Sequence, residues 1–168
     1  MNDKMIDNVK ELIASHRFFS HLKSEYHQAM AECACLKTYK TGDALGREGS
    51  TSDFFFALLE GRVAIESYQP GRDPVTLQTI HGGEIVGWSW LFPPYEWVFD
   101  AKALTDVRTI AFDTSCLRDK CEINPALGFE LMKRFAQVMT MRLKATRLQL
   151  LDMYSRETGQ STKGQHDD

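Results

Sequence analysis

The 168 residues predict a mainly β domain with flanking helices: a double-stranded β-helix or jelly-roll β-roll, helices before it, and a long helix after it. Three observations carry this. Between Leu36 and Phe112 short apolar runs are punctuated by glycine turns, as in all-β rolls. Before Leu36 the apolar residues follow helical spacing instead. After Asn124-Pro125 the chain runs to Tyr154 without a further proline, and without glycine beyond Gly128.

Composition sets the outer bounds. The length suffices for one domain with its own core, and 43% hydrophobic and 26% charged residues are ordinary for a globular chain. A net charge of -3 gives no electrostatic footprint for nucleic acid. No apolar run approaches membrane-spanning length, and charges stand where a signal peptide needs an apolar core. A cytoplasmic location without membrane contact follows. Of the four cysteines, Cys33 and Cys35 are spaced C-x-C and Cys116 and Cys121 C-x4-C, neither a standard zinc spacing. Reduced, mostly buried thiols are the expectation.

In chain order, Met5, Ile6, Val9, Leu12 and Ile13 form the stripe of an amphipathic helix with Asp3 as N-cap. A second helix is expected from a cap at Ser20 to about Cys35. His16, His21 and His27 read as surface histidines. Leu36, Tyr39 and Leu45 belong to short strands separated by Gly42 and Gly49. Asp53 to Ile65 reads as a β-hairpin turning at Glu60-Gly61. A loop over Gln69 to Pro74 precedes a strand from Val75 to Ile80, and Val107 to Phe112 is the last strand. A helical tail opens at Thr114 or Ser115, and Asn124-Pro125 suits an N-cap followed by proline at the first helical position. Domain bounds are 1–154, made of N-terminal helices (1–35), β-roll (36–113) and C-terminal helices (114–154), then a polar tail, 155–168.

The centre of the chain is His81 to Ala103. Gly82-Gly83 form a turn and Gly87 a second bend. Trp88-Ser89-Trp90-Leu91 make one helical turn, and Pro93-Pro94 stop it. Trp97, Phe99, Ala101 and Ala103 then alternate as on a strand with one buried face. This is the layout of a phosphate-binding cassette, in which backbone amides face an anion.

The run GGEIVGWSWL followed by DAKAL resembles the cassette of cyclic nucleotide-binding domains of the Crp–Fnr type. Gly83, Glu84, Gly87 and Leu91 match the family pattern, as do the turn Arg47-Glu48-Gly49 and the segment around Gly61. Two functional positions depart from it. The ribose-binding glutamate that the resemblance implies after the second glycine is Trp88, and the phosphate-binding arginine falls at Phe99, or at Val98 with a different gap. Glu84 matches the acidic residue before that glutamate. The resemblance runs from about Leu12 to Tyr154. It leaves no residues for the winged helix-turn-helix that the family's transcription factors carry, so no nucleic-acid partner is expected. The N-terminal cysteine run that holds an iron–sulfur cluster in some relatives is absent.

The candidate pocket comprises Gly83, Glu84, Gly87, Trp88, Ser89, Trp90, Trp97, Phe99 and Ala101. Its aromatic residues either line a pocket for a planar ligand or fill the space a nucleotide would take; packing is the favoured reading. Two apolar stripes mark the long helix, of roughly thirty residues and about 45 Å. Met132, Phe135, Met139 and Leu143 on one of them are the candidate interface of a homodimer. No catalytic residues and no metal ligands emerge, and no cofactor is required. The implied function is a non-enzymatic regulatory or sensor module that acts through a protein partner. The alternatives are a genuine cyclic AMP or cyclic GMP receptor working through backbone amides, and a sensor of haem or another small ligand, with His81 as the hint of an axial ligand.

Overall fold

The computed structural model describes residues 3–68 and 70–161, with side chains left aside at Asp3 and over 156–161. The chain divides into two compact units, residues 1–128 and 129–168.

In the first unit two helices, α1 (Asp3–Ser15) and α2 (Ser24–Ala31), precede eight strands. These are β1 (Ala34–Tyr39), β2 (Ala44–Gly46), β3 (Phe54–Glu60), β4 (Arg62–Ser67), β5 (Val75–His81), β6 (Ile85–Val86), β7 (Asp100–Ala103) and β8 (Val107–Asp113). A single 3-10 turn, Ser89–Leu91, lies between β6 and β7. Helix α3 (Thr114–Ile123) follows β8, and α4 (Pro125–Ser161) begins in this unit.

The strands form two four-stranded sheets, ordered β1-β8-β3-β6 and β2-β7-β4-β5, with all pairings antiparallel. The jelly-roll expectation holds. The hairpin expected over Asp53 to Ile65 does not: β3 lies in one sheet and β4 in the other. Glu60-Gly61 is a corner rather than a hairpin turn. Gly61 has φ +93°, and a Cβ there would overlap the carbonyl oxygen of Asp106. A corner this tight needs glycine for both reasons, and local sequence does not distinguish it from a hairpin turn.

Strand alternation sends the two faces of the β3/β8 sheet into different cores. Phe56, Leu58, Val107 and Ala111 point between the sheets, where they meet Leu45, Val63, Ile80, Val86, Ala101 and Ala103. Phe55 and Phe112, direct partners in the β3/β8 register, point the other way. Their rings stack at 4.6 Å, and Phe112 meets Phe19 at 5.2 Å. Phe19 is in the turn between α1 and α2, so this second core lies on the helix side of the sheet.

The N-terminal region departs from expectation in three ways. Helix α1 already includes Asp3 rather than being capped by it, while Val9 and Ile13 of the expected stripe are buried. Helix α2 starts at Ser24, not at a Ser20 cap, and ends at Ala31, so Cys35 is in β1. Of the three histidines expected at the surface, His16 and His27 are buried and His21 is exposed. His16 Nδ1 accepts from the Phe18 N–H at 3.2 Å, which leaves Nε2 to donate to the Leu58 carbonyl at 3.1 Å. His27 Nε2 lies 2.9 Å from the Phe19 carbonyl. Burial lowers the pKa of His16. His16 thus joins the Phe18 amide of the turn between α1 and α2 to a carbonyl of β3, and His27 bonds a carbonyl of the same turn.

The cysteine expectation is overturned at two positions. Cys33 and Cys116 form a disulfide with a Cα–Cα distance of 5.6 Å; Cys35 and Cys121 are free thiols. The partners are 83 residues apart, so spacing in sequence carried no sign of the pair.

Helix α3 is capped by Asp113, whose Oδ1 accepts from the Cys116 N–H at 2.8 Å. Asn124 Oδ1 accepts from the Leu127 N–H at 3.3 Å, and Pro125 opens α4. That junction is as expected. Gly128 lets α4 approach α3 closely, since a Cβ there would sit 3.2 Å from that of Cys121.

In the second unit α4 continues past Tyr154 to Ser161, into the stretch expected to be a polar tail. The remainder of that tail, 162–168, and Gln69 of the expected loop lie outside the described residues. Phe135 is fully buried; Met139 is half-buried, and Met132 and Leu143 are 39% and 53% exposed.

Candidate functional site, the cassette and the roll interior

The cassette is built from β6 onward. Gly83 turns the chain at φ +86°, and Glu84 Oε2 accepts from the His81 N–H at 2.8 Å. The Glu84 carboxylate thus holds the turn. His81 itself is exposed at the end of β5. Leu58 extends the short β6 ladder by donating its N–H to the Glu84 carbonyl at 2.9 Å, and its carbonyl accepts from Gly83 at 2.8 Å. Gly87 is buried at φ +85° and delivers the chain to Trp88, the half-buried N-cap of the 3-10 turn. Ser89 and Trp90 in that turn are buried.

The loop returns along residues 95–97, which run antiparallel beside residues 49–52. The Gly49 N–H donates to the Trp97 carbonyl, the Trp97 N–H to Ser50 and the Ser52 N–H to Tyr95, at 2.8, 2.8 and 2.7 Å. The expected strand through Tyr95, Trp97 and Phe99 is not formed. Regular β7 begins at Asp100, and Glu96 makes an isolated bridge with Thr51. Tyr95 has φ +60°, unusual for a bulky residue. The three aromatic side chains therefore do not share a strand face. Trp97 is buried and Phe99 half-buried. Ala101 does lie on the buried face of β7, paired with Ile65 and Gly46, while Lys102 points outward.

Trp97 belongs to the core between the sheets. A Cβ on Gly46 would overlap its indole, and one on Gly87 would sit 2.9 Å from its ring. The indole thus lies against both glycines inside the roll. It faces Phe56 at 6.3 Å, Phe56 faces Phe54 at 6.4 Å, and the Lys37 ammonium caps Phe54 at 3.5 Å. Trp90 goes to the other core and stacks on Phe55 at 5.4 Å. The predicted residues are thus divided: Gly87, Trp97 and Ala101 meet at the roll interior, and Trp90 serves the helix side.

Sequence reasoning passed over Gly46 and Arg118. Gly46 carries no local mark of its role, because the indole it admits comes from the far side of the sequence. The Arg118 guanidinium on α3 lies 4.5 Å over the Tyr95 ring, and its Nη1 donates to the Trp90 carbonyl at 3.4 Å. It ties α3 to both ends of the cassette loop. Among the described residues no group of three or more His, Cys, Asp or Glu is placed to hold a metal ion, and no helix is long and apolar enough to cross a membrane.

Two four-stranded antiparallel sheets with a glycine-bounded cassette between β6 and β7 define the class of β-rolls that carry a cassette loop. The family model for the cyclic nucleotide-binding domain matches residues 36–124, and the chain belongs to that family. A solved structure of a candidate cyclic nucleotide-binding protein from Geobacter metallireducens GS-15 is similar at 32% identity and a TM-score of 0.71, over 80% of this chain and 97% of that one. The sensor domain of the transcriptional regulator DNR from Pseudomonas aeruginosa is similar in fold, with 18% identity and a TM-score of 0.67, over 84% and 95% of the chains. So is the regulatory subunit of a cAMP-independent protein kinase A from Trypanosoma brucei, with 19% identity and a TM-score of 0.65 over 80% of this chain, which spans 48% of that one. No curated protein matches the chain by sequence.

Proposed function

We propose that this protein is a non-enzymatic regulatory module in which the cyclic nucleotide-binding roll is kept as a scaffold, and that cyclic AMP and cyclic GMP bind it weakly or not at all. The observation that carries this is Trp97. Its indole occupies the interior beside Gly46 and Gly87, the cassette glycine. A nucleotide seated there would have to displace a buried ring. The charges that would compensate are lacking at the positions the resemblance assigns: Trp88 follows Gly87, and Phe99 or Val98 stands for the arginine. A guanidinium holds a cyclic phosphate through permanent charge and fork geometry. Losing one partner of a desolvated charge pair costs about 2–5 kcal/mol, or roughly a thirty- to several-thousand-fold loss of affinity.

Titration calorimetry with both nucleotides tests the proposal. No heat is expected at micromolar nucleotide. Binding at low micromolar or tighter, abolished by Gly87→Val, would overturn it in favour of a receptor that grips phosphate through backbone amides. The absorption spectrum of the purified protein tests the remaining alternative, since a Soret band would identify a haem sensor.

The output is assigned to a protein partner inside the cell, and assembly to a homodimer through α4. Met132, Met141, Leu143 and Leu148 expose apolar surface along that helix, which a second copy would cover. Light scattering should give a dimer at high micromolar concentration, and Met132→Glu with Leu143→Glu should give a soluble monomer. A wild-type monomer under those conditions overturns the assignment.

A further inference from the structure

Helix α3 is held at both sides. Toward the N-terminal helices, Cys116 is bonded to Cys33, the Asp113 N–H donates to the Cys33 carbonyl at 2.8 Å, and Lys120 pairs with Glu32. Toward the cassette, Arg118 covers Tyr95 and donates to the Trp90 carbonyl. Arg118 is two residues from Cys116, so the covalent tether and the cassette contact lie within one turn of the same helix. The bridge also crosses from the residue just before β1 to the first turn of α3, joining segments 83 residues apart.

We propose that the Cys33–Cys116 disulfide is a reversible, redox-sensitive lock on the cassette loop. In the oxidised form the first turn of α3 is fixed, and Arg118 holds Trp90 and Tyr95 in place. A small thiol reductant opens it. Its thiolate attacks the Cys116 sulfur, since Cys116 is half-buried whereas Cys33 is 5% exposed. The S–S bond breaks, and Cys33 leaves as a thiolate and takes up a proton. A second reductant thiol then displaces Cys116 from the mixed disulfide. Two reductant thiols become one disulfide while one cystine becomes two cysteines. Burial raises the pKa of Cys121, which makes that thiol a poor competitor in the exchange. After reduction α3 keeps the Lys120–Glu32 pair and the buried Leu117. The domain stays folded, and the freedom gained is at the start of α3 and in the loop that Arg118 grips. The lock rests on the reading proposed above, that this chain is a regulatory module.

The test is amide hydrogen exchange on the full chain, oxidised and in dithiothreitol, which reports on the cassette whether or not a nucleotide binds. Titratable thiols should rise from the two free cysteines to four when the bridge opens. Amides over residues 88–97 should then exchange at least tenfold faster, with those of β3 and β8 unchanged. Arg118→Gln in the oxidised protein should show the same fast loop, no longer responsive to reductant. Four thiols in the protein even after oxidation, an unchanged loop on reduction, or acceleration spread evenly over the roll would each overturn the lock. The last outcome would make the bridge a general staple.

Discussion

Trp90 and Trp97 leave the same loop and end in different cores. Trp90 joins Phe55, Phe112 and Phe19 on the helix side of the β3/β8 sheet. Trp97 joins Phe56, Ala101 and Ala111 between the sheets. The first is an aromatic stack of large partners. The second faces Phe56 on one side and is seated on Gly46 and close to Gly87 on the other. The difference teaches where the functional question lies. The space that two glycines leave without a side chain is taken by one ring, so the identity of residue 97 decides whether the interior beside them is open.

Removing each ring has the largest expected effect. Trp90→Ala and Trp97→Ala should each cost about 3–5 kcal/mol in urea denaturation. The two differ in what else they permit. Gly46→Ala should destabilise the wild type by about 1–3 kcal/mol through overpacking against the indole. In a Trp97→Ala background it should cost little, whereas Trp90→Ala should give no such relief. Additive effects of Gly46→Ala and Trp97→Ala would show that the interior is not filled as described.

Next in size is the cap that starts α3 beside the helix-side core. Asp113→Ala removes the acceptor for the Cys116 N–H and should cost about 1 kcal/mol. An unchanged denaturation midpoint would mean that the disulfide alone positions this turn.

The smallest expected effect is a pH dependence belonging to the helix side. Burial, opposed by the Leu58 carbonyl and aided by Arg17, holds the pKa of His16 below the ordinary imidazole value of 6.5. The unfolded chain therefore binds a proton more readily than the folded one. The contribution of His16 is fully present above that ordinary value and is lost as pH falls below it. Wild type should lose more stability between pH 7 and pH 5 than His16→Gln does. Equal losses in the two proteins would remove His16 as the cause.

Much of the roll was legible in the chain. Period-two alternation identified Ala101 and Ala103 as inward and Lys102 as outward, and the glycines at 42, 49, 83 and 87 all have positive φ. Asn124-Pro125 marked the start of α4. These are local signals, set by the backbone preferences of single residues. The cassette pattern was equally local, and with it the family.

The features that the sequence left open involve partners far apart along the chain. Gly61 turns a corner between sheets rather than a hairpin because of the Asp106 carbonyl opposite it. His16 and His27 are buried with their rings bonded to the Leu58 and Phe19 carbonyls, 42 and 8 residues away. Cys33 meets Cys116, Arg118 reaches Tyr95, and Trp97 finds Gly46. Propensity and periodicity report which face a residue presents to its own strand or helix. They do not report which distant residue closes over it, because that choice is made by packing between segments after both have formed.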